Sequence, residues 1–140
     1  MANKDWTVRL RGEAWRDDPS GAENVNGFAG KALCADMAAA LRAACPGATV
    51  GEPVAEDYGW GLSARLTGAP VWIAASCVGD GEDDAPEDDP PEYVVSVVAP
   101  KTSILPWKKP DPAAAADFAA VVAALEAWLA ARGIAHQREA

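Results

Sequence analysis

Histidine is almost missing from this 140-residue chain, with His136 standing alone. Nucleophile systems that use an imidazole base need it held in place by packing, and His136 follows the last predicted helix in a segment without such support. The same scarcity removes histidine-based metal sites, H-E-x-x-H among them. Cysteine is sparse too. Cys34, Cys45 and Cys77 are odd in number and lack C-x-x-C spacing, which predicts reduced, mostly buried thiols in place of a zinc site or a disulfide framework. No uninterrupted apolar run reaches the roughly 18–20 residues of a membrane span, and the first residues lead into a strand pattern and not a signal-peptide core. The expectation is a soluble, cytoplasmic protein with no membrane contact. Bases are in the minority, 12 against 21 acids for a net charge of −9, and this argues against a nucleic-acid binder. Phosphate-binding glycine loops are absent as well: Gly59-Trp60-Gly61 precedes a strand pattern, so no helix N-terminus is available to a nucleotide. Nothing in the chain calls for a cofactor.

What the chain does have is length enough for one domain, residues 1–140, in which folding buries roughly two-thirds of the surface. Half of its residues are hydrophobic, but 32 are alanines. Alanine favours helices and buries little area per residue, so the larger side chains must carry the core.

Alternation in Asp5–Arg11 sets Trp6, Val8 and Leu10 on one face of a strand. Turn-forming residues fill Asp17–Gly27. From Phe28 to Ala44, Leu33, Met37 and Leu41 recur at helical spacing until Cys45-Pro46-Gly47 stops the helix. Strands are predicted at Thr49–Val54, Trp60–Thr67, Val71–Val78 and Glu92–Ala99, with a hairpin at Gly68-Ala69-Pro70. Val71–Val78 is apolar on both faces and should be central, with Trp72 partly exposed. Three prolines make Pro100–Pro110 a crossover. A second helix starts at Asp111 as N-cap and Pro112 as first residue. It buries Phe118, Val121, Val122, Leu125, Trp128 and Leu129, and exits at Arg132-Gly133. Residues 135–140 read as a frayed tail. The order predicts an α+β, two-layer sandwich: a mainly antiparallel sheet of about 4–5 strands with two helices on one face.

The acid excess is local. Asp80–Glu92 holds eight acids and no base, and without them the chain carries 13 acids against 12 bases. As a calcium loop the segment fails, because Ala85 stands where glycine is needed and Pro91 where the bidentate glutamate should be. It reads as a mobile, solvated connection whose Asp83, Asp84, Asp88 and Asp89 are candidates for contact with a basic protein partner. Tryptophan is abundant: of six, Trp6, Trp60 and Trp128 fall on predicted core faces, whereas Trp15, Trp72 and Trp107 are free to plug a sheet edge or anchor a partner.

A second candidate surface is Glu56-Asp57-Tyr58-Gly59-Trp60, where carboxylates, a phenol and an indole meet at a turn between strands. Adjacent carboxylates in an extended segment point to opposite faces, which weakens a paired acid–base role for Glu56 and Asp57. This stretch, with the return strand Val71-Trp72-Ile73, resembles an E-D-x-G-W turn and W-I strand in small uncharacterised bacterial α+β proteins. The resemblance implies a sheet with flanking helices and no particular activity. Small acidic immunity proteins are similar in size and charge alone. Glu56, Asp57, Tyr58, Trp60, Trp72 and the four aspartates are therefore the expected binding residues. The expected function is a non-enzymatic interaction or inhibitor module of the immunity type. The alternative is a small enzyme or ligand-binding domain using Glu56 or Asp57 in a pocket between sheet and helices.

Overall fold

A computed structural model describes residues 5–11, 30–56, 59–78, 92–100 and 112–139. The alternating segment forms β1 (Trp6–Arg11), with Trp6, Val8 and Leu10 buried and Arg9 and Arg11 exposed. Helix α1 (Lys31–Ala44) buries Leu33, Cys34, Met37, Ala38 and Leu41, the stripe set by the fourfold spacing. It ends where Cys45 donates its N–H to the Leu41 carbonyl at 2.8 Å, as the Cys45-Pro46-Gly47 stop requires. Strands β2 (Thr49–Val50), β3 (Val54–Glu56), β4 (Gly59–Arg65), β5 (Val71–Val78) and β6 (Glu92–Val97) follow, then α2 (Pro112–Arg132) and β7 (His136–Glu139).

The sheet has seven strands in the order β2-β4-β5-β6-β1-β7, with β3 also on β4, and every pairing is antiparallel. This is the α+β architecture expected, with more strands. Two differences account for the count. The segment read as one strand at Thr49–Val54 divides into β2 and β3, which pair with opposite ends of β4 on either side of Gly51, Glu52 and Pro53. The tail expected to fray instead forms β7 on β1. β1 would otherwise expose its outer ladder groups, and the turn after α2 returns the chain to them.

Both helices cover one face. Leu33, Met37 and Leu41 of α1 and Val121, Leu125, Trp128 and Leu129 of α2 join Trp6, Val8, Leu10, Trp60, Leu62, Ile73, Tyr93, Val95 and Val97 in one core. Arg132 ties the helices together with two hydrogen bonds to Asp36, at 3.0 and 3.1 Å. Phe118 and Val122 lie at the margin of the core, partly buried. Eleven of the 21 residues of α2 are alanine, and an 18-residue stretch within it has a mean hydropathy of 1.6, which makes the helix long and apolar enough, by length and composition alone, to cross a membrane. Counting uninterrupted apolar runs misses this, because Asp117 and Glu126 break the run without breaking the helix. Its large side chains face the sheet and α1.

Trp128 is 8% exposed and sits among these side chains. Trp128→Ala should destabilise the fold by about 3–5 kcal/mol, read as a lowered midpoint in urea unfolding with an unchanged slope.

Candidate binding surface

Because cross-strand partners share a face, the register divides the sheet unambiguously. Trp60 pairs with Ala75 and Leu62 with Ile73, on the helix side. The other face is crossed by the row Val54, Gly61, Ala74, Ser96 and Thr7, in which each residue is the register partner of the next. Among the described residues no helix packs on this face, and the side chains of this row are small, with Arg65 and Val94 lying on the same face to either side of it. Ser96 and Thr7 hydroxyls lie 3.0 Å apart within it.

Trp72 belongs to this face and is half-buried. A Cβ on Gly61 would come within 2.0 Å of the Trp72 ring carbon Cζ2, so the indole lies across Gly61 and needs that residue to have no side chain. Val54, the register partner of Gly61, is 47% exposed beside it. Together they form an apolar spot on this face.

Glu56 falls on the same face. Its neighbour Ala55 pairs with core-facing Trp60 and packs against the core, so Glu56, partner of Gly59, points the other way. Gly59 has φ of +149°, and a Cβ there would approach the Ala75 carbonyl oxygen to 2.4 Å. That contact explains the glycine of the E-D-x-G-W turn: β4 lies too close to β5 at this point for any other residue.

Charge rims the surface at its β1 side. Arg9 forms ion pairs with Glu139 and, at 3.6 Å, with Glu92, while Arg11 reaches Glu92 at 3.6 Å. These guanidiniums and carboxylates are therefore mutually neutralised. Glu92, counted by sequence in the acidic segment, is the first residue of β6.

The expected binding residues thus separate. Glu56 and Trp72 share the helix-free face. Trp60 is 3% exposed and packs in the core, with the Lys31 ammonium 5.8 Å from its ring centroid, so it supports the site from beneath. Asp57, Tyr58, Asp83, Asp84, Asp88 and Asp89 lie outside the described residues, as do Trp15, Trp107 and the Asp111 cap. The thiol of Cys34 is buried and that of Cys45 partly so, both free. His136 is exposed, its Nδ1 2.7 Å from the Ile134 carbonyl.

A groove of about 320 Å³ opens where the β4–β5 hairpin, the end of β6 and the start of α2 meet. Pro70, Trp72, Val98, Pro100, Ala114 and Phe118 line it with others, and none of its lining residues is ionisable. Glu56 is not among them. Among the described residues no group of three His, Cys, Asp or Glu side chains could hold a metal ion.

Asp117 is a buried polar residue that composition and motif do not mark. It is 3% exposed and accepts hydrogen bonds from the Thr67 hydroxyl at 2.7 Å, the Gly68 N–H at 2.8 Å and the Thr67 N–H at 3.2 Å. Helix α2 thereby clamps the β4–β5 hairpin that carries Trp72. Its position was legible in principle, since Asp117 lies four residues before Val121 and eleven before Trp128, on the buried stripe. The Thr67 hydroxyl first, and then the Gly68 N–H, hold its carboxyl below the ordinary 3.8, against an opposing effect of burial.

A folded-state pKa below the unfolded value means that the clamp stabilises fully above about pH 3.8 and is lost as pH falls through the folded value. Asp117→Asn replaces one carboxylate oxygen with an N–H2 group that cannot accept. Its melting temperature should lie below that of the wild type at neutral pH, and the gap should narrow below pH 3.8.

No protein-family model matches this chain, and no curated protein or solved structure shows significant similarity to it.

Proposed function

We propose that the chain is a non-enzymatic interaction module that binds a protein partner through the helix-free face of its sheet. The observation that carries this reading is the Trp72 indole laid across Gly61 beside exposed Val54. An indole packed over a glycine offers a large apolar contact with little entropy left to lose, the character of residues that dominate binding energy at interfaces. The small residues Gly61, Ser63 and Ala74 beside it allow close approach by a second surface. Glu56 supplies a carboxylate on the same face.

The partner is basic. The described ionic groups at the β1 side of this face pair with one another, and most of the net negative charge of the chain comes from the seven acids of residues 80–91, without which 14 acids face 12 bases. Those acids accelerate encounter with a cationic surface, and the apolar face then holds it. A small acidic inhibitor that occupies a basic protein fits this division of labour, as an immunity-type module does.

Affinity capture from the native host tests it, with each variant's melting temperature as the control for folding. Wild-type protein should retain a basic partner. Trp72→Ala and Val54→Asp should each weaken retention by at least about tenfold, the scale of a central interface residue. Replacing the seven acids of residues 80–91 with Ser should slow association and flatten its salt dependence. Equal retention by all the folded variants would contradict the proposal.

A further inference from the structure

β7 stands apart from the other strands. All four of its residues are exposed, and none belongs to the core, whereas its neighbour β1 buries Trp6, Val8 and Leu10. β7 is held by its ladder with β1, from Thr7↔Glu139 to Leu10↔His136. Two exposed ion pairs add to it, Arg9 with Glu139 and, at 3.8 Å, Arg138 with Glu126. Pairs of this kind contribute little each and are screened by salt. Releasing β7 therefore exchanges backbone hydrogen bonds for water and exposes little apolar area, which places it among the segments that open most easily.

Its connection to α2 is short and depends on one conformation. Only Gly133, Ile134 and Ala135 separate the two elements. Gly133 has φ of +62°. Its N–H bonds to the Ala130 carbonyl at 3.2 Å, and that of Ile134 to the Leu129 carbonyl at 3.0 Å. This is a Schellman exit, with Ile134 packed back on the core. The reversal alone brings β7 to the β1 of its own chain. If the hinge opens, β1 is left with free ladder groups and an Arg9 without Glu139, and the strand that fits this edge in register and charge is the β7 of another copy.

We propose that the β1 edge is a strand-exchange site for a second copy of this chain. In the dimer, β7 of each copy pairs with β1 of the other, and Glu139 of each meets Arg9 of its partner. The exchange is reciprocal, so the assembly closes at two and buries the edge that release would expose. It does not depend on the function proposed above.

Substitution at the hinge is the test. In Gly133→Val the left-handed conformation is penalised in the closed monomer and relieved in the exchanged dimer, where the hinge can extend. The dimer should tighten about tenfold for each hinge relieved, seen as a rise in mass by light scattering over a concentration series. Removing residues 136–140 in the same background should return the chain to monomer. Independently of that variant, mixing Arg9→Cys chains with Gln137→Cys chains, a register pair on β1 and β7, should give a disulfide-linked species that requires both. A Gly133→Val chain that stays monomeric, a dimer that survives loss of 136–140, or a mixture that yields no crosslink dependent on both variants would each overturn the proposal.

Discussion

An alanine-rich chain has few large side chains with which to exclude water, and here they are collected in one layer. Trp6, Trp60, Tyr93 and Trp128, with the leucines, isoleucine and valines around them, lie between one face of the sheet and the two helices. Burial is the main favourable term in folding, so a single layer decides where everything else must go. The helices cannot divide between the two faces without halving the core. Among the described residues the opposite face is left with a row of small residues, one laid-down indole, Val54 and Val94, and charged side chains, of which Arg9, Arg11, Glu92 and Glu139 pair with one another.

Polar contacts then refine what burial roughly arranges. The Asp117 carboxylate gathers the Thr67 hydroxyl and two backbone N–H groups, so the hairpin between β4 and β5 has a fixed position relative to α2. Hydrogen bonds to an ionised acceptor are stronger than neutral ones and set geometry as well as stability. Trp72 is the second residue of β5, at the foot of that hairpin. The clamp and the indole are thus two ends of one short strand connection. Gly59 contributes at the far end of β4, where only a missing side chain lets the strand approach β5 so closely.

Much of this was legible in the sequence because it follows from periodicity. β1, both helices, the β4–β5 hairpin and the central place of β5 are dictated by where Trp6, Val8, Leu10, Leu33, Met37, Leu41, Val121, Leu125 and their neighbours recur. β7 was missed for a physical reason. His136 to Glu139 has no apolar alternation to detect, and its pairing comes from the open edge of β1 and the turn at Gly133, both tertiary consequences. The division of Thr49–Val54 was equally hidden, since two- and three-residue strands leave no periodic signal. The turn at Glu56–Trp60 was singled out for its carboxylates and aromatics. Its strict requirement is the glycine, which composition does not reveal, and its tryptophan serves the core.

The two faces of the sheet make opposite demands on indoles, and residue-resolved hydroxyl-radical footprinting reads both in one experiment. Trp72 should be oxidised many times faster than Trp6, Trp60 and Trp128, which are 3%, 3% and 8% exposed. Protection of Trp72 to the level of Trp60, or oxidation of Trp60 at the rate of Trp72, would contradict a single core layer with a helix-free face opposite it.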